Sequence, residues 1–215
     1  MYVSCLVTDE KYIAARIRDL EESVRYFSSS NKTEREFYVC EMFLQGLGIS
    51  SPRENLVPAQ SDPPDVNYFD IAFEVKEILD SGRARHFEYK AALQKARAAR
   101  KPEDFVEPWN LRPIPFTDSA RTVMEKAKTE AFGYAPSVRR DLDLLYYVNY
   151  MNKHPVPGGK PLDPSSLRST GWRSVSLLFG QFSWVLFASP SAPKLLRDNE
   201  GKPYYRDPNR FERDS

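Results

Sequence analysis

The chain has 215 residues, 41% of them hydrophobic and 28% charged, a composition that is typical of a folded globular protein with one well-buried core. Its net charge of +1 gives no overall attraction to nucleic acid, so any such binding depends on local clusters of charge. No run approaches the roughly 18 apolar residues of a membrane-spanning helix and the N-terminal segment has no basic leader, so we expect a cytoplasmic protein without membrane association.

Two helices are predicted at the start of the chain. Apolar residues at helical spacing predict an amphipathic helix over residues 9–29, and Asn31 with Glu34 predicts a capping box at the start of a second helix. The four prolines of residues 50–64 predict a loop. Residues 65–68 and 71–79 then predict the two strands of a hairpin.

The second half of the chain adds helices and further strands. Residues 83–101 predict a basic helix, prolines interrupt the chain after it, and Thr117 or Asp118 is expected to cap another helix. Residues 154–164 predict a loop, residues 207–215 predict a polar tail, and strands are predicted over residues 144–151, 175–179 and 182–188. This order predicts an α/β fold with a mixed central β-sheet flanked by helices, in a single domain over residues 1–206.

The predicted hairpin carries a candidate metal site. Side chains alternate along a strand, so Glu74 and Lys76 share one face while Phe73 and Val75 point into the core. Asp65 enters from the neighbouring strand, and the Val75 carbonyl lies between the two charged side chains. Oxygen atoms are the ligands that Mg²⁺ and Mn²⁺ prefer, so Asp65, Glu74 and the Val75 carbonyl are the predicted metal ligands.

Other residue types are poorly placed for chemistry. The cysteines, Cys5 and Cys40, form no metal-ligand pair, and the two histidines, His86 and His154, lie far apart in the sequence. The pattern of an acid two residues before a lysine recurs in predicted helices, at residues 9–11 and 88–90, and in the polar segment that follows Pro190, at residues 200–202. The acid and lysine of the predicted hairpin, Glu74 and Lys76, are therefore the preferred candidates for an active site.

The hairpin resembles the PD-(D/E)XK nuclease superfamily, whose hallmark is an Asp on one strand and a Glu or Asp two residues before a Lys on the next. Segments 171–178 and 185–188 are similar to a bacterial family of uncharacterised endonuclease-like proteins. The resemblance implies a restriction-endonuclease-like core and Mg²⁺-dependent hydrolysis of DNA, with Asp65 and Glu74 holding the metal and Lys76 acting on water and phosphate. It also implies a helix acid, which Glu36 matches, although Thr33 and Glu36 are equally spaced for a structural capping box.

A positive stripe on the basic helix is the candidate DNA-binding surface, and its members are Arg83, Lys90, Arg97 and Lys101. A solvated helix face has the same pattern, and Glu74 with Lys76 has the pattern of an ordinary surface ion pair. Two alternatives therefore stay open. One is a non-catalytic nucleic-acid-binding or scaffold protein that keeps the nuclease fold, and the other is an interaction module whose first helix pairs with a partner. A homodimer is compatible with each of them.

Overall fold

The computed structural model describes residues 8–105 and 110–206, so the predicted tail over residues 207–215 lies outside the described residues. Its helices are α1 (Asp9–Tyr26), α2 (Lys32–Gly46), α3 (Arg85–Ala98), α4 (Phe116–Glu130), α5 (Pro136–Arg139) and α6 (Lys194–Asp198). Its strands are β1 (Leu56–Pro58), β2 (Val66–Tyr68), β3 (Ile71–Ile78), β4 (Arg112–Pro115), β5 (Asp143–Val148), β6 (Lys153–Val156), β7 (Ser174–Phe179), β8 (Phe182–Ala188) and β9 (Pro203–Tyr205). None of the helices within these ranges combines the length and the apolar character needed to span a bilayer.

Contacts within the chain define two compact units. The helical unit comprises Met1–Lys32 and Ser81–Asn110, and the sheet unit comprises Thr33–Asp80 and Leu111–Ser215. Each unit contains a hydrophobic core of its own. The single domain over residues 1–206 stays a prediction.

The helical unit is built on the pairing of α1 with α3. The Thr8 side chain accepts a hydrogen bond from the Lys11 amide and so caps α1 at its N-terminus. Leu20 of α1 is buried against Leu93 and Ala96 of α3, because the apolar residues of each helix fall on one face. These contacts hold two helices that are otherwise rich in charge.

The sheet unit is organised around a seven-stranded mixed sheet in the order β1-β2-β3-β5-β7-β8-β9. Its three middle strands, β3, β5 and β7, are parallel, and the pairs outside them are antiparallel. A separate two-stranded parallel sheet joins β4 to β6. The prediction of a mixed α/β fold with flanking helices is therefore confirmed.

The large sheet has a hydrophobic core on each face. Phe43 of α2 meets Phe73 of β3 edge to face, with 5.9 Å between ring centroids, in the core that also holds Leu145. Leu144 belongs to the second core, which includes residues of α4 such as Val123. The middle strands read as nearly continuous apolar runs because both of their faces are covered.

A buried ion pair joins the starts of the three parallel strands. Asp143, the first residue of β5, is only 1% exposed and accepts hydrogen bonds from the Ala72 amide at 3.1 Å and the Ser174 hydroxyl at 2.8 Å. The Arg173 guanidinium forms a salt bridge with the same carboxylate. Burial raises the pKa of Asp143, although these donors act in the opposite direction. One carboxylate thus connects β3, β5 and β7.

Several elements differ from the sequence-based prediction. The predicted loops over residues 50–64 and 154–164 contain β1 and part of β6, and α3 is shorter than the predicted helix at both ends. Helix α4 begins at Phe116 with Pro115 as its N-cap, rather than with a cap at Thr117 or Asp118. Asn31 donates its side-chain amide to the Arg25 carbonyl at 2.8 Å, within a short 3₁₀ turn that precedes α2. Prolines are tolerated in β4 because this short strand belongs to a two-stranded sheet, where a missing N–H costs little.

The buried ion pair generates a stability prediction. Arg173→Met should lower the free energy of unfolding by about 3–5 kcal/mol, because the Asp143 carboxylate loses its compensating charge inside the protein. Lys128→Met is the matched control, since it removes an exposed pair with Glu125 and should cost only about 0–1 kcal/mol. Urea unfolding measures both values. An equal loss for the two variants would show that the buried pair does not stabilise the sheet.

Candidate active site

Asp65 is held against β3 by two hydrogen bonds. Its amide donates to the Phe73 carbonyl at 2.9 Å, and its Oδ2 accepts from the Val75 amide at 2.9 Å. The amide and carbonyl of one strand residue point to the same neighbouring strand, so the Val75 carbonyl faces the Asp65 side. The local fold therefore brings the predicted oxygen ligands of Asp65 and Val75 to one edge of the hairpin.

Glu74 is a buried carboxylate whose two oxygens have different environments. Its residue is 2% exposed, and Oε1 accepts hydrogen bonds from Lys76 Nζ at 2.8 Å and the Tyr134 hydroxyl at 2.6 Å. Oε2 is also buried but has no hydrogen-bond partner among the residues that the structure describes. Leaving a charged oxygen unpartnered in the interior is costly, so Oε2 is an open acceptor position that a cation or a water molecule can fill.

Three carboxylates converge at this point. Asp62, Asp65 and Glu74 each offer an oxygen, and these oxygens lie within 4.8 Å of one another. Opposite ligands on a single Mg²⁺ or Ca²⁺ ion lie about 4–5 Å apart, so the spacing fits coordination of one divalent ion. Asp62 was not predicted from the sequence. It lies in a proline-rich segment, and the only available signal was a carboxylate three residues before Asp65.

Glu36 lies outside that group of three. It is buried on α2, with 8% of its surface exposed, and its charge acts on Cys40 of the same helix. Burial raises the pKa of Cys40, and the negative charges of Asp65 and Glu36 raise it further. Glu36 and Asp65 therefore influence the same part of the core, but the structure does not bring Glu36 into the three-carboxylate cluster.

Lys76 and Tyr134 form a polar pair above Glu74. Burial by itself lowers the pKa of Lys76, but hydrogen bonds to Glu74 and Tyr134 outweigh it and raise the pKa above its usual value. Burial also raises the pKa of Tyr134, as does its hydrogen bond to Glu74. At neutral pH Lys76 is therefore a fixed cation and Tyr134 a neutral hydrogen-bond donor. Tyr134 follows α4 in the sequence, and no local pattern pointed to it.

The basic stripe lies in the helical unit, and two of its four members form salt bridges. Arg83 forms a salt bridge with Glu88, and Arg97 forms one with Glu21 at 2.6 Å. Lys90 and Lys101 are exposed and form no salt bridge with any residue of the described ranges. Arg83 and Lys101 also lie outside α3, so the four residues do not form one continuous helical stripe.

The carboxylate cluster predicts stabilisation by metal. Mg²⁺ or Mn²⁺ at about 100 times its dissociation constant should raise the free energy of unfolding by about 2.7 kcal/mol, because the ion binds only the folded state. Asp65→Asn and Glu74→Gln should abolish this increment. Asp70→Asn, which alters an exposed carboxylate of the same hairpin, should retain it. Chemical denaturation with and without the ion measures the increment, and an unchanged value in Glu74→Gln would exclude this site.

Comparison with known proteins identifies relatives of the chain. It is similar to a Pseudomonas aeruginosa strain PAO1 protein of unknown function, described as a member of the monooxygenase superfamily, with 25% identity and a TM-score of 0.62 over 94% of this chain and 97% of that chain. No curated protein matches the sequence. A family model described as "Putative endonuclease, protein of unknown function (DUF1780)" matches residues 8–210. Because this match spans almost the whole sequence, the chain belongs to that family.

Proposed function

We propose that this protein is a metal-dependent endonuclease that hydrolyses phosphodiester bonds in DNA, with a PD-(D/E)XK-type site on a restriction-endonuclease-like core. The observation that carries the proposal is that Glu74, whose buried Oε2 has no hydrogen-bond partner among the described residues, offers an oxygen to the same group as the carboxylates of Asp62 and Asp65. Lys76 supplies a positive charge next to this group. The endonuclease description of the family supports the same activity.

In this proposal each residue of the hairpin has a defined task. Asp62, Asp65 and Glu74 hold Mg²⁺ or Mn²⁺, with the Val75 carbonyl as a further oxygen ligand. The bound ion supplies Lewis acidity and a more acidic water. Lys76 remains protonated, so it orients the attacking water and stabilises negative charge on the phosphate rather than accepting a proton.

Glu36 and the helical unit extend the proposal beyond the hairpin. Glu36, which is buried on α2, is proposed as an outer acid that orders a water near the metal. Lys90 and Lys101, together with Arg83 and Arg97, are proposed to contact DNA phosphates. Cytoplasmic location and a homodimeric state remain predictions.

The Pseudomonas aeruginosa relative is described as a member of the monooxygenase superfamily, which suggests oxygen chemistry as a different activity. That description applies to the relative, so the activity has to be judged from the residues of this chain. In this chain His86 and His154 lie outside the cluster, whose candidate side-chain ligands are three carboxylates. Carboxylate ligands suit Mg²⁺ and Mn²⁺, whereas histidine-containing sets are usual for iron and copper, so the donor atoms favour hydrolysis. A non-catalytic DNA-binding protein is the remaining alternative, and an activity assay separates it.

The activity prediction concerns Lys76. Purified protein should cut plasmid, linear duplex or single-stranded DNA with Mg²⁺ or Mn²⁺ and should be inactive with EDTA. Lys76→Ala should lower the rate by roughly 10²–10⁴ because a positioned charge is lost from the chemical step. Lys126→Ala, an exposed lysine on α4, is the control and should cut at the wild-type rate.

Two results would contradict this assignment. A Lys76→Ala protein that cuts at the wild-type rate would remove Lys76 from the site, even if the wild type were a nuclease. A wild type that binds the metal and DNA but cuts no substrate would favour the non-catalytic alternative. Thermal unfolding of each variant should be measured in parallel, so that a loss of activity is not confused with a loss of fold.

The binding prediction concerns Lys90 and Lys101. Replacing both by Gln should flatten the slope of log affinity against log salt by about two, because each phosphate contact contributes about one. Lys126→Gln with Lys160→Gln removes two exposed lysines of the sheet unit and should leave the slope unchanged. Fluorescence anisotropy over a series of salt concentrations measures the slopes. Equal slopes for wild type and the Lys90, Lys101 variant would remove these lysines from the DNA interface.

A further inference from the structure

The two oxygens of Glu74 are not equivalent as metal ligands. Each carboxylate oxygen has about two lone-pair positions that accept hydrogen bonds. On Oε1 both are used, by the Tyr134 hydroxyl at 2.6 Å and by Lys76 Nζ at 2.8 Å. Oε2 has no such donor among the residues that the structure describes. Glu74 can therefore offer an ion one oxygen whose lone pairs are not used by other donors, but it cannot offer two such oxygens.

Tyr134 is held in place by contacts that are independent of any metal. Its ring meets Trp172 at an angle of 65°, with 5.2 Å between centroids, and Trp172 is fixed in turn by a 2.9 Å hydrogen bond from Nε1 to the Ala127 carbonyl. The Lys76 ammonium lies 5.5 Å from the centroid of the Tyr134 ring. The Tyr134 ring is therefore held between Trp172 and the Lys76 ammonium, in a position from which its hydroxyl donates to Glu74 Oε1.

The number of oxygens that a carboxylate offers affects which ion binds. Ca²⁺ takes 6–8 oxygens at about 2.3–2.6 Å and often uses both oxygens of one carboxylate. Mg²⁺ requires six ligands in a nearly ideal octahedron at about 2.0–2.1 Å, which favours one oxygen from each carboxylate. A Glu74 side chain limited to Oε2 therefore favours the smaller ion.

We propose that Tyr134 is a positioning residue for metal selection: by occupying Oε1 of Glu74, it restricts this carboxylate to one ligand atom and favours Mg²⁺ or Mn²⁺ over Ca²⁺. The inference rests on the metal site of the proposed function. It assigns a role to a residue that lies 60 positions from Glu74 in the sequence. The role is exerted through Glu74 and requires no contact between Tyr134 and the ion.

The test compares two ions in the intact protein. Isothermal titration gives the dissociation constants of Ca²⁺ and Mg²⁺, and the measured quantity is their ratio. Tyr134→Phe keeps the ring against Trp172 but removes the hydroxyl, so a lone pair of Oε1 becomes available to the larger ion. The Ca²⁺ to Mg²⁺ ratio of dissociation constants should fall by roughly tenfold, the lower end of the usual effect of a residue that supports a ligand.

Tyr204→Phe is the matched control. Tyr204 donates a hydrogen bond of the same length, 2.6 Å, to Asn199 Oδ1. It belongs to β9, which is four strands away from β3 in the sheet order. Its loss removes a comparable hydrogen bond without touching Glu74, so the ratio should stay at the wild-type value. General destabilisation does not change the ratio, because both ions bind the same folded state.

The outcomes separate this inference from the proposed function. A wild type and a Tyr134→Phe variant that bind both ions with the same ratio would overturn the role of Tyr134 and leave the metal site standing. A wild type that binds neither ion would overturn both. If Tyr134→Phe does not fold, infrared spectra of the wild type, with Glu74→Gln as reference, decide the question. The carboxylate stretches of metal-bound Glu74 should show the wide separation of single-oxygen coordination, and a two-oxygen signature would overturn the inference.

Discussion

A carboxylate removed from water must have its charge balanced inside the protein, and at Asp143 this requirement holds the centre of the sheet together. Asp143 lies at the start of β5 and bonds to groups at or just before the starts of β3 and β7. The parallel register then pairs Phe73 with Asp143 and Glu74 with Leu144. Glu74 is therefore placed one residue beyond a fixed point rather than at the end of a mobile loop.

Asp143 and Glu74 are both buried carboxylates on neighbouring strands, but their surroundings lead to different interpretations. Asp143 accepts hydrogen bonds from Arg173, Ser174 and Ala72, and both of its oxygens are used. Among the residues that the structure describes, Glu74 has donors on one oxygen only. In a structural ion pair, donors within the protein satisfy every oxygen of the buried carboxylate. A buried carboxylate with one oxygen left without a donor is typical of a site that a ligand completes.

Local sequence patterns were sufficient for the hairpin and the central strands. Apolar residues at strand spacing located β3, β7 and β8, and alternation placed Phe73 in the core and Glu74 on the opposite face. The same reasoning did not locate β1 or β6, because a strand of three or four residues that includes a proline resembles a loop until its partner strand is known.

The site was only partly predictable for a related reason. Asp65, Glu74 and Lys76 are neighbours through a local hairpin, so counting residues was enough. Tyr134 reaches Glu74 because α4 packs against the sheet, and Asp62 comes close to Glu74 because of the path of a loop. Neither approach produces a pattern in the neighbouring sequence. The sequence also did not show how much of the positive charge of the basic stripe is neutralised by acids that are distant in the sequence. Arg97 is paired with Glu21, an acid that lies 76 residues away in the sequence.

Cys40 lies in the core on α2 with no exposed surface, and burial together with the charges of Asp65 and Glu36 raises the pKa of its thiol. The thiolate is the form that reacts with alkylating agents and oxidants, so this side chain is protected both by lack of access and by retention of its proton. Alkylation then requires that α2 separate from the sheet. Its rate therefore measures how often the core beneath the carboxylates opens, which makes Cys40 a native reporter of local unfolding.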